Sequence, residues 1–372
     1  MPNPAMLGLV IRTRASPSEN SVNFRSLCSG LSQFVATRVL GDIPNAVRER
    51  AKLVMLDAIG NAFAASRYPF VPVALSALSS LGSGDGTVIG LDARLALRDA
   101  VVMNGILVHG LDYDDTYLPG SVHLSASCVP VVLGMGAHAG ANGRDMLMAA
   151  VLGLEIGARV AAAARGGFVN AGFHATGIAG AFGSAVAAGR LMKLNAEQHM
   201  LAQGVALSLT SGTLQPLQEG SWTKRVHPGW AGASGITAAA FARAGYVAPA
   251  QAYEGHFGLY SCFLGEHKAS AQPQAVVEGL GESWEFTRTS IKLFPACHQL
   301  HAFMNCAIKL AQQISVIFCQ PCCTDTAFFL ADCKNIISGS ARMNQMHQHG
   351  YTSTIIRSKY VTVSMPVRAR FF

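Results

Sequence analysis

Between Gly166 and Gly189 the chain reads GGFVNAGFHATGIAGAFGSAVAAG, twenty-four residues with no Lys, Arg, Asp or Glu. The run is mostly Gly and Ala, so helix backbones can approach closely there and small side chains can be buried all round. Its length is enough to cross a bilayer. Large aliphatic residues are few, however, and an Asn and a His interrupt it, so tightly packed interior helices are the expectation rather than a membrane span. The rest of the chain is similarly apolar and poor in charge, since 50% of its 372 residues are hydrophobic, only 13% are charged, and 38 are glycine. Such a chain can bury a large core, as one big domain or two ordinary ones, and global disorder does not fit it.

Helical spacing begins near Leu31. In DIPNAVRERAKLVMLDAIGNAFAAS, Asp42 is placed as an N-cap with Pro44 in the first turn, and Val47, Ala51, Val54, Ile59 and Phe63 recur on one face. Residues 82–90 read as a turn followed by a short strand or extended link. Helices are expected over about 93–109, 124–140, 144–164, 174–193, 196–210 and 228–244, separated by short Gly, Asn and Pro breaks. The alternation in WEFTRTSIKLF, residues 284–294, predicts the first strand of a new module, with a helix from His298 to Gln313 after it. No strand is followed by G-x-G-x-x-G and a helix, and no G-x4-G-K-S/T is present, so no nucleotide cofactor is implied.

The formal charge of +7 is unevenly spread. Met1–Gln313 carries 22 basic and 19 acidic residues, a net of +3, and Ile314–Phe372 carries 6 and 2, a net of +4. The body has no basic helix with interleaved aromatics, which argues against nucleic-acid binding. Four of the nine cysteines, Cys319, Cys322, Cys323 and Cys333, crowd into that last stretch, but a second properly spaced pair for zinc is missing. No secretory signal is evident, so a reducing compartment is the default. Arg12, Arg14 and Arg25 with five serines in the first thirty residues give a weak organelle-transit composition, so cytoplasmic is the expectation with mitochondrial as the alternative.

Chemistry-bearing residues concentrate in four places. In HGLDYDDTYLPGSVHLSAS, Asp112, Asp114 and Asp115 fall together at a helix end, with Thr116 beside them and His123 after a Pro-Gly turn. Three neighbouring carboxylates repel when buried, so at least one should have a raised pKa unless a cation is near. A calcium loop is excluded by the missing glycine and glutamate at its sixth and twelfth positions. His174 stands between small residues just before a helix, where the helix N-terminus favours anions. Lys224, Arg225 and His227 open another Ala/Gly helix against its dipole, which an anionic ligand would reward. Lys292, Cys297, His298 and His301 lie in IKLFPACHQLHAF. One acidic cluster facing His, Lys and Arg groups suits proton transfer on a small polycarboxylate, with cations holding carboxylates and an Asp or His moving a proton.

At these residues the sequence resembles the MmgE/PrpD family. The likeness starts at LSQFVATRVLGDIPNAVRERAKLVMLDAIGNAFA, passes through HGLDYDDT with its following His, GFHATG and the lysine segment before GWAGASG, and ends in KLFPACHQLHAF, about residues 32–310. The resemblance implies a mainly α fold in which a large all-helical MmgE/PrpD-type domain is followed by a partial α/β lid domain. It implies the helical domain over 31–270 and the start of the lid over 275–313; the lack of periodicity before Leu31 reads as an N-terminal arm over 1–30, and the change of character after Gln313 as an atypical tail over 314–372, a departure from the family. By position, Asp112 and Thr116 match the family's active-site pair, His123 the histidine that follows, His174 the histidine of G-F-H-x-T-G, and Lys224 and, more weakly, Lys292 the substrate-binding lysines. The activity implied is that of a lyase, without cofactor or metal, removing water or carbon dioxide from a small di- or tricarboxylate such as 2-methylcitrate, citrate or cis-aconitate. A homodimer is implied as well, with no nucleic acid and no membrane. The altered tail leaves an impaired relative serving as a dimer partner as the alternative, and the D-x-D-D spacing leaves a protonating terpene cyclase as a more distant one.

Overall fold

A computed structural model describes residues 26–317. The expected tail over 314–372 and its four cysteines lie almost wholly outside the described residues, as does most of the expected N-terminal arm, although a helix already begins at Leu27. The chain is built from α1 (Leu27–Thr37), α2 (Asn45–Ala65), α3 (Phe70–Ser79), a two-stranded antiparallel hairpin of β1 (Gly86–Thr87) and β2 (Arg94–Leu95), then α4 (Leu97–His109), α5 (Ser125–His138), α6 (Gly143–Ala163), α7 (Gly167–Asn170), α8 (Ala175–Leu191), α9 (Ala196–Leu209), α10 (Gln215–Glu219), α11 (Val226–Arg243), α12 (Leu259–Cys262) and α13 (His301–Ile317). The fold is mainly α, and its six long central helices lie within a few residues of where the apolar period put them.

The Gly/Ala run becomes α7 and α8, and α8 is the centre of the bundle, packed against α5, α6, α9 and α11. All of its residues are buried except Arg190, whose guanidinium donates to the carbonyls of Val35, Ala36 and Arg38 and so closes the end of α1. Close approach explains the composition. A Cβ on Gly183 would lie 2.5 Å from the Gly153 carbonyl oxygen of α6, and one on Gly229 would lie 2.3 Å from the Val102 carbonyl oxygen of α4. Among the described residues one helix, α6, is long and apolar enough to cross a membrane, and 89% of that stretch is buried against protein. It also carries the buried pair Glu155 and Arg159.

Three expectations need correction. Asp42 does not cap α2. It belongs to a short 3-10 turn, Leu40–Asp42, and accepts from the Val39 N–H, while Pro44 is itself the residue that precedes the helix. The buried face of α2 runs Val47, Ala51, Val54, Ala58, Ala62 and Ala65, so Ile59 is only partly buried and Phe63 is 57% exposed. The core here is filled by alanines, because neighbouring helices come too close for larger side chains.

The third concerns residues 284–294, which form no strand. Glu285–Arg288 is a 3-10 turn, and only Ser290 makes an isolated antiparallel bridge, to Thr116. No partner strand lies beside this segment among the described residues. It is held instead by the Glu155–Arg159 pair: Arg159 donates to Glu155 and to the carbonyls of Glu278, Gly279 and Ser283, and Glu155 accepts from the Phe286 N–H.

Candidate active site

The site forms where α4 ends and α5, α8 and α11 begin. After His109 the chain turns through Asp112, whose φ of 56° places a non-glycine residue in the left-handed region, a conformation Asp tolerates better than most residues. That turn aims the Asp112 carboxylate between two ammonium groups. Lys224, from the 3-10 turn before α11, is 3.3 Å from Oδ2, and Lys292 is 3.1 Å from Oδ1 and also donates to the Asp112 carbonyl. The Lys292 side chain is 1% exposed and that of Asp112 is 30% exposed. Burial alone would raise the Asp112 pKa. The positive fields of Lys224, His123 and Lys292 outweigh it and hold the carboxyl well below its ordinary value. For Lys292 burial opposes the charge, but Asp112 and Asp114 overcome it and keep the amine protonated.

The bridge between Thr116 and Ser290, with N–H to carbonyl distances of 2.9 and 2.8 Å, ties the segment carrying Lys292 to the acidic loop. His123 donates from Nδ1 to the Asp115 carbonyl at 2.6 Å, because a carbonyl can only accept. In the neutral ring this leaves a lone pair on Nε2, which lies 3.8 Å from Asp112 Oδ1. Burial, only partly offset by Asp114 and Asp112, lowers the His123 pKa to about 4, so the ring is neutral near pH 7. The Thr116 hydroxyl is 3.5 Å from His123 Nδ1, and the Thr176 hydroxyl accepts from the His123 backbone N–H.

His174 stands at the start of α8 with Nδ1 3.2 Å from Nδ1 of His227, the second residue of α11. Burial first, then Lys224 and the neighbouring histidines, drive the His174 pKa well below its ordinary value. Its Nε2 is buried with no hydrogen-bond partner among the described residues. Thus Asp112, Thr116, His123, His174, Lys224 and Lys292 all come together.

Asp115 and Asp114 diverge. Asp115, buried and beside Asp114, is pushed up to about 7 although Oδ1 accepts from the Ser125 N–H. Asp114 is also penalised by burial, yet His109 and His123 hold its pKa below the ordinary value. The raised carboxyl expected from three neighbouring acids is therefore Asp115, and the cations expected as the alternative act on its neighbours.

Two features are not evident from the sequence alone. His109, the last residue of α4, sits 2.7 Å from Asp114 through Nδ1, and its ring packs 5.1 Å from that of His123 and 5.3 Å from that of His174. Arg225, in sequence only one of three neighbouring basic residues, lies over the Phe70 ring at 4.7 Å and donates to the Gly110 carbonyl, bracing the loop. A histidine three residues ahead of Asp112 is the one signal the sequence holds for the first.

His109, Asp112 and Asp114 offer ligand atoms within 4.8 Å of one another. A divalent cation there would have to displace the His109–Asp114 hydrogen bond and face two ammonium groups already on Asp112. The donor set favours ammonium and carboxylate chemistry. Cys297, His298 and His301 form no comparable group among the described residues; His298 stacks on His301, whose Nε2 lies 3.1 Å from the Ala296 carbonyl.

Comparison with known proteins places the chain in a family. The family profile of the MmgE/PrpD N-terminal domain matches residues 29–272. Cis-aconitate decarboxylase of Aspergillus terreus is 28% identical over 299 residues, covering 78% of this chain and 60% of that protein. Cis-aconitate decarboxylase of Homo sapiens is 26% identical over 300 residues, covering 78% of this chain and 60% of that protein. The chain thus spans about three fifths of the length of these relatives.

Proposed function

The chain belongs to the MmgE/PrpD family, and from that premise we propose that it is a lyase working without metal or cofactor on a small di- or tricarboxylate, with a cis-aconitate-like molecule as the substrate class its relatives' names favour. The observation that carries this reading is the pairing of two ammonium groups on one carboxylate beside a neutral imidazole whose lone pair faces them. Lys224 and Lys292 supply more positive charge than Asp112 alone needs, so they can take substrate carboxylates while Asp112 keeps both ammonium groups in place. His123 Nε2 then removes or returns a proton at the carbon next to a bound carboxylate. Thr116 orients that ring, and His174 forms the opposite wall.

The same groups serve loss of carbon dioxide and loss of water. Decarboxylation on an unsaturated tricarboxylate is the favoured branch, because both relatives compared above are named for it. The family match sets aside the terpene-cyclase alternative. The homodimer belongs to this proposal too, and sedimentation equilibrium of the full chain tests it.

Turnover of cis-aconitate, citrate and 2-methylcitrate by the full chain, followed by ultraviolet absorbance of the unsaturated acid, tests the activity. Turnover of at least one is expected, with a loss of about 100-fold or more in kcat for His123→Ala. No turnover of any of the three would sink the lyase reading and favour the dimer-partner alternative.

A further inference from the structure

Proton transfer needs a place where the proton rests between its removal and its return. His123 and His174 are poor resting places. Both are buried, and each faces a lysine: Lys292 near His123 and Lys224 near His174. His174 is hydrogen-bonded to another imidazole, and His123 keeps only a 3.8 Å approach to Asp112, which two lysines already neutralise.

His109 differs from both. It is 2% exposed at the end of α4, and its Nδ1 is 2.7 Å from Oδ2 of Asp114, which is fully buried. An ionised carboxylate can only accept, so His109 carries its hydrogen on Nδ1 and presents Nε2 as the reacting nitrogen. That Nε2 is buried and has no hydrogen-bond partner among the described residues. The ring lies between those of His123 and His174, at 5.1 and 5.3 Å. The groups facing it are Asp112 and Asp114 from the acidic loop, His123 ahead of α5, His174 at the start of α8 and His227 in α11. Among the described residues Asp114 is the one carboxylate hydrogen-bonded to it.

We propose that His109, backed by Asp114, is the proton carrier of this site, holding on Nε2 the proton that passes between substrate and the His123 side of the pocket. The inference rests on the lyase reading and deepens it. In the forward step the substrate C–H bond breaks toward His123 Nε2, and the proton moves on to the lone pair of His109 Nε2, forming an imidazolium against the Asp114 carboxylate. In the return step that N–H bond breaks, and the proton goes to the departing hydroxyl in a dehydration. In a decarboxylation the order reverses: His109 starts protonated, and its proton reaches the carbon that inherits the electron pair as carbon dioxide leaves. Asp114 stays ionised throughout, and no oxidant or reductant is involved.

His109→Asn separates this role from a structural one, because its amide nitrogen can still donate to Asp114 while Nε2 is lost. The expected result is a fall in kcat of about 100-fold or more with KM changed less than threefold and an unchanged unfolding midpoint. Asp114→Asn should lower kcat as well with KM little changed, since the imidazolium loses its counter-charge. Retention of kcat within threefold in His109→Asn, or a change confined to KM, would overturn the proposal.

A second readout does not depend on turnover. In 15N-histidine spectra of the full chain, His109, assigned by its loss in His109→Asn, should carry hydrogen on Nδ1 and leave Nε2 bare. A neutral His109 with its hydrogen on Nε2 refutes the carrier role even in an active enzyme. The expected tautomer in a protein that turns over none of the three acids would leave the carrier geometry standing and reject the lyase reading alone.

Discussion

Arg159→Met is the sharpest test of how the site is held. In the native protein Arg159 is 2% exposed and donates to Glu155, 1% exposed, and to three carbonyls of residues 278–283. Methionine fills much of the same volume but leaves the Glu155 carboxylate with backbone N–H donors alone, from Phe286 and Glu285. Stranding a buried charge in this way costs about 3–5 kcal/mol, and losing the donor at two or more carbonyls adds about 1 kcal/mol each. The sum, about 5–8 kcal/mol, is half or more of a typical domain stability of about 5–15 kcal/mol. Burial already raises the Glu155 pKa against the pull of Arg159, so removing Arg159 should raise it further. Urea unfolding of the full chain, followed by circular dichroism, reads the loss. Glu155→Leu combined with Arg159→Met should recover at least about 2 kcal/mol of it, because the double variant strands no charge. A single variant within about 1 kcal/mol of wild type, or a double variant no more stable than the single, would refute the reasoning.

Gly229→Ala should lower the unfolding midpoint by an amount equivalent to about 1–3 kcal/mol, since its Cβ would meet the Val102 carbonyl oxygen at 2.3 Å and force α4 and α11 apart. Lys292→Met should raise KM for a tricarboxylate about 10- to 100-fold, the worth of one charged hydrogen bond, and steady-state kinetics with cis-aconitate reads it. For pH, Asp115 is raised from 3.8 to about 7, so the folded state prefers its protonated form. This group therefore removes stability progressively as pH rises from about 4 to about 7. Asp112 and Asp114, both lowered, act in the opposite sense and lose their contribution as pH falls below 3.8. Asp115→Asn should flatten the decline between pH 4 and 7 in urea midpoints measured across that range.

Much of this is legible in the sequence, and the misses share a cause. Helices α4, α5, α6, α8, α9 and α11 stand near their predicted places because their apolar period is long and their Gly, Asn and Pro breaks are sharp. The face of α2 differs from expectation because large residues, Ile59 and Phe63, outweigh Ala58 and Ala62 in a hydrophobic pattern, and a core built on close backbone approach inverts that weighting. The alternation at 284–294 resembles a strand, but alternation describes one chain and a strand needs a partner; Arg159 and Thr116 supply the anchoring instead. His109 is hard to single out because a histidine in the last turn of a helix has an ordinary explanation in the helix dipole. Its contact with Asp114 exists only after the chain doubles back through the left-handed Asp112.

The two lysines on Asp112 also set an order of assembly during synthesis. Lys224 is 112 residues from Asp112 along the chain, and Lys292 is 180 residues away. Contacts of that separation form late, because the ends of a long loop must meet before anything rewards the meeting. When α11 has left the ribosome the helical bundle can close and Asp112 can find Lys224, but the second ammonium group and the Thr116–Ser290 bridge must wait for the next fifty or so residues, a few seconds at ordinary elongation rates. For that interval the nascent protein has its cluster of histidines in place and only one of the two lysines that flank Asp112.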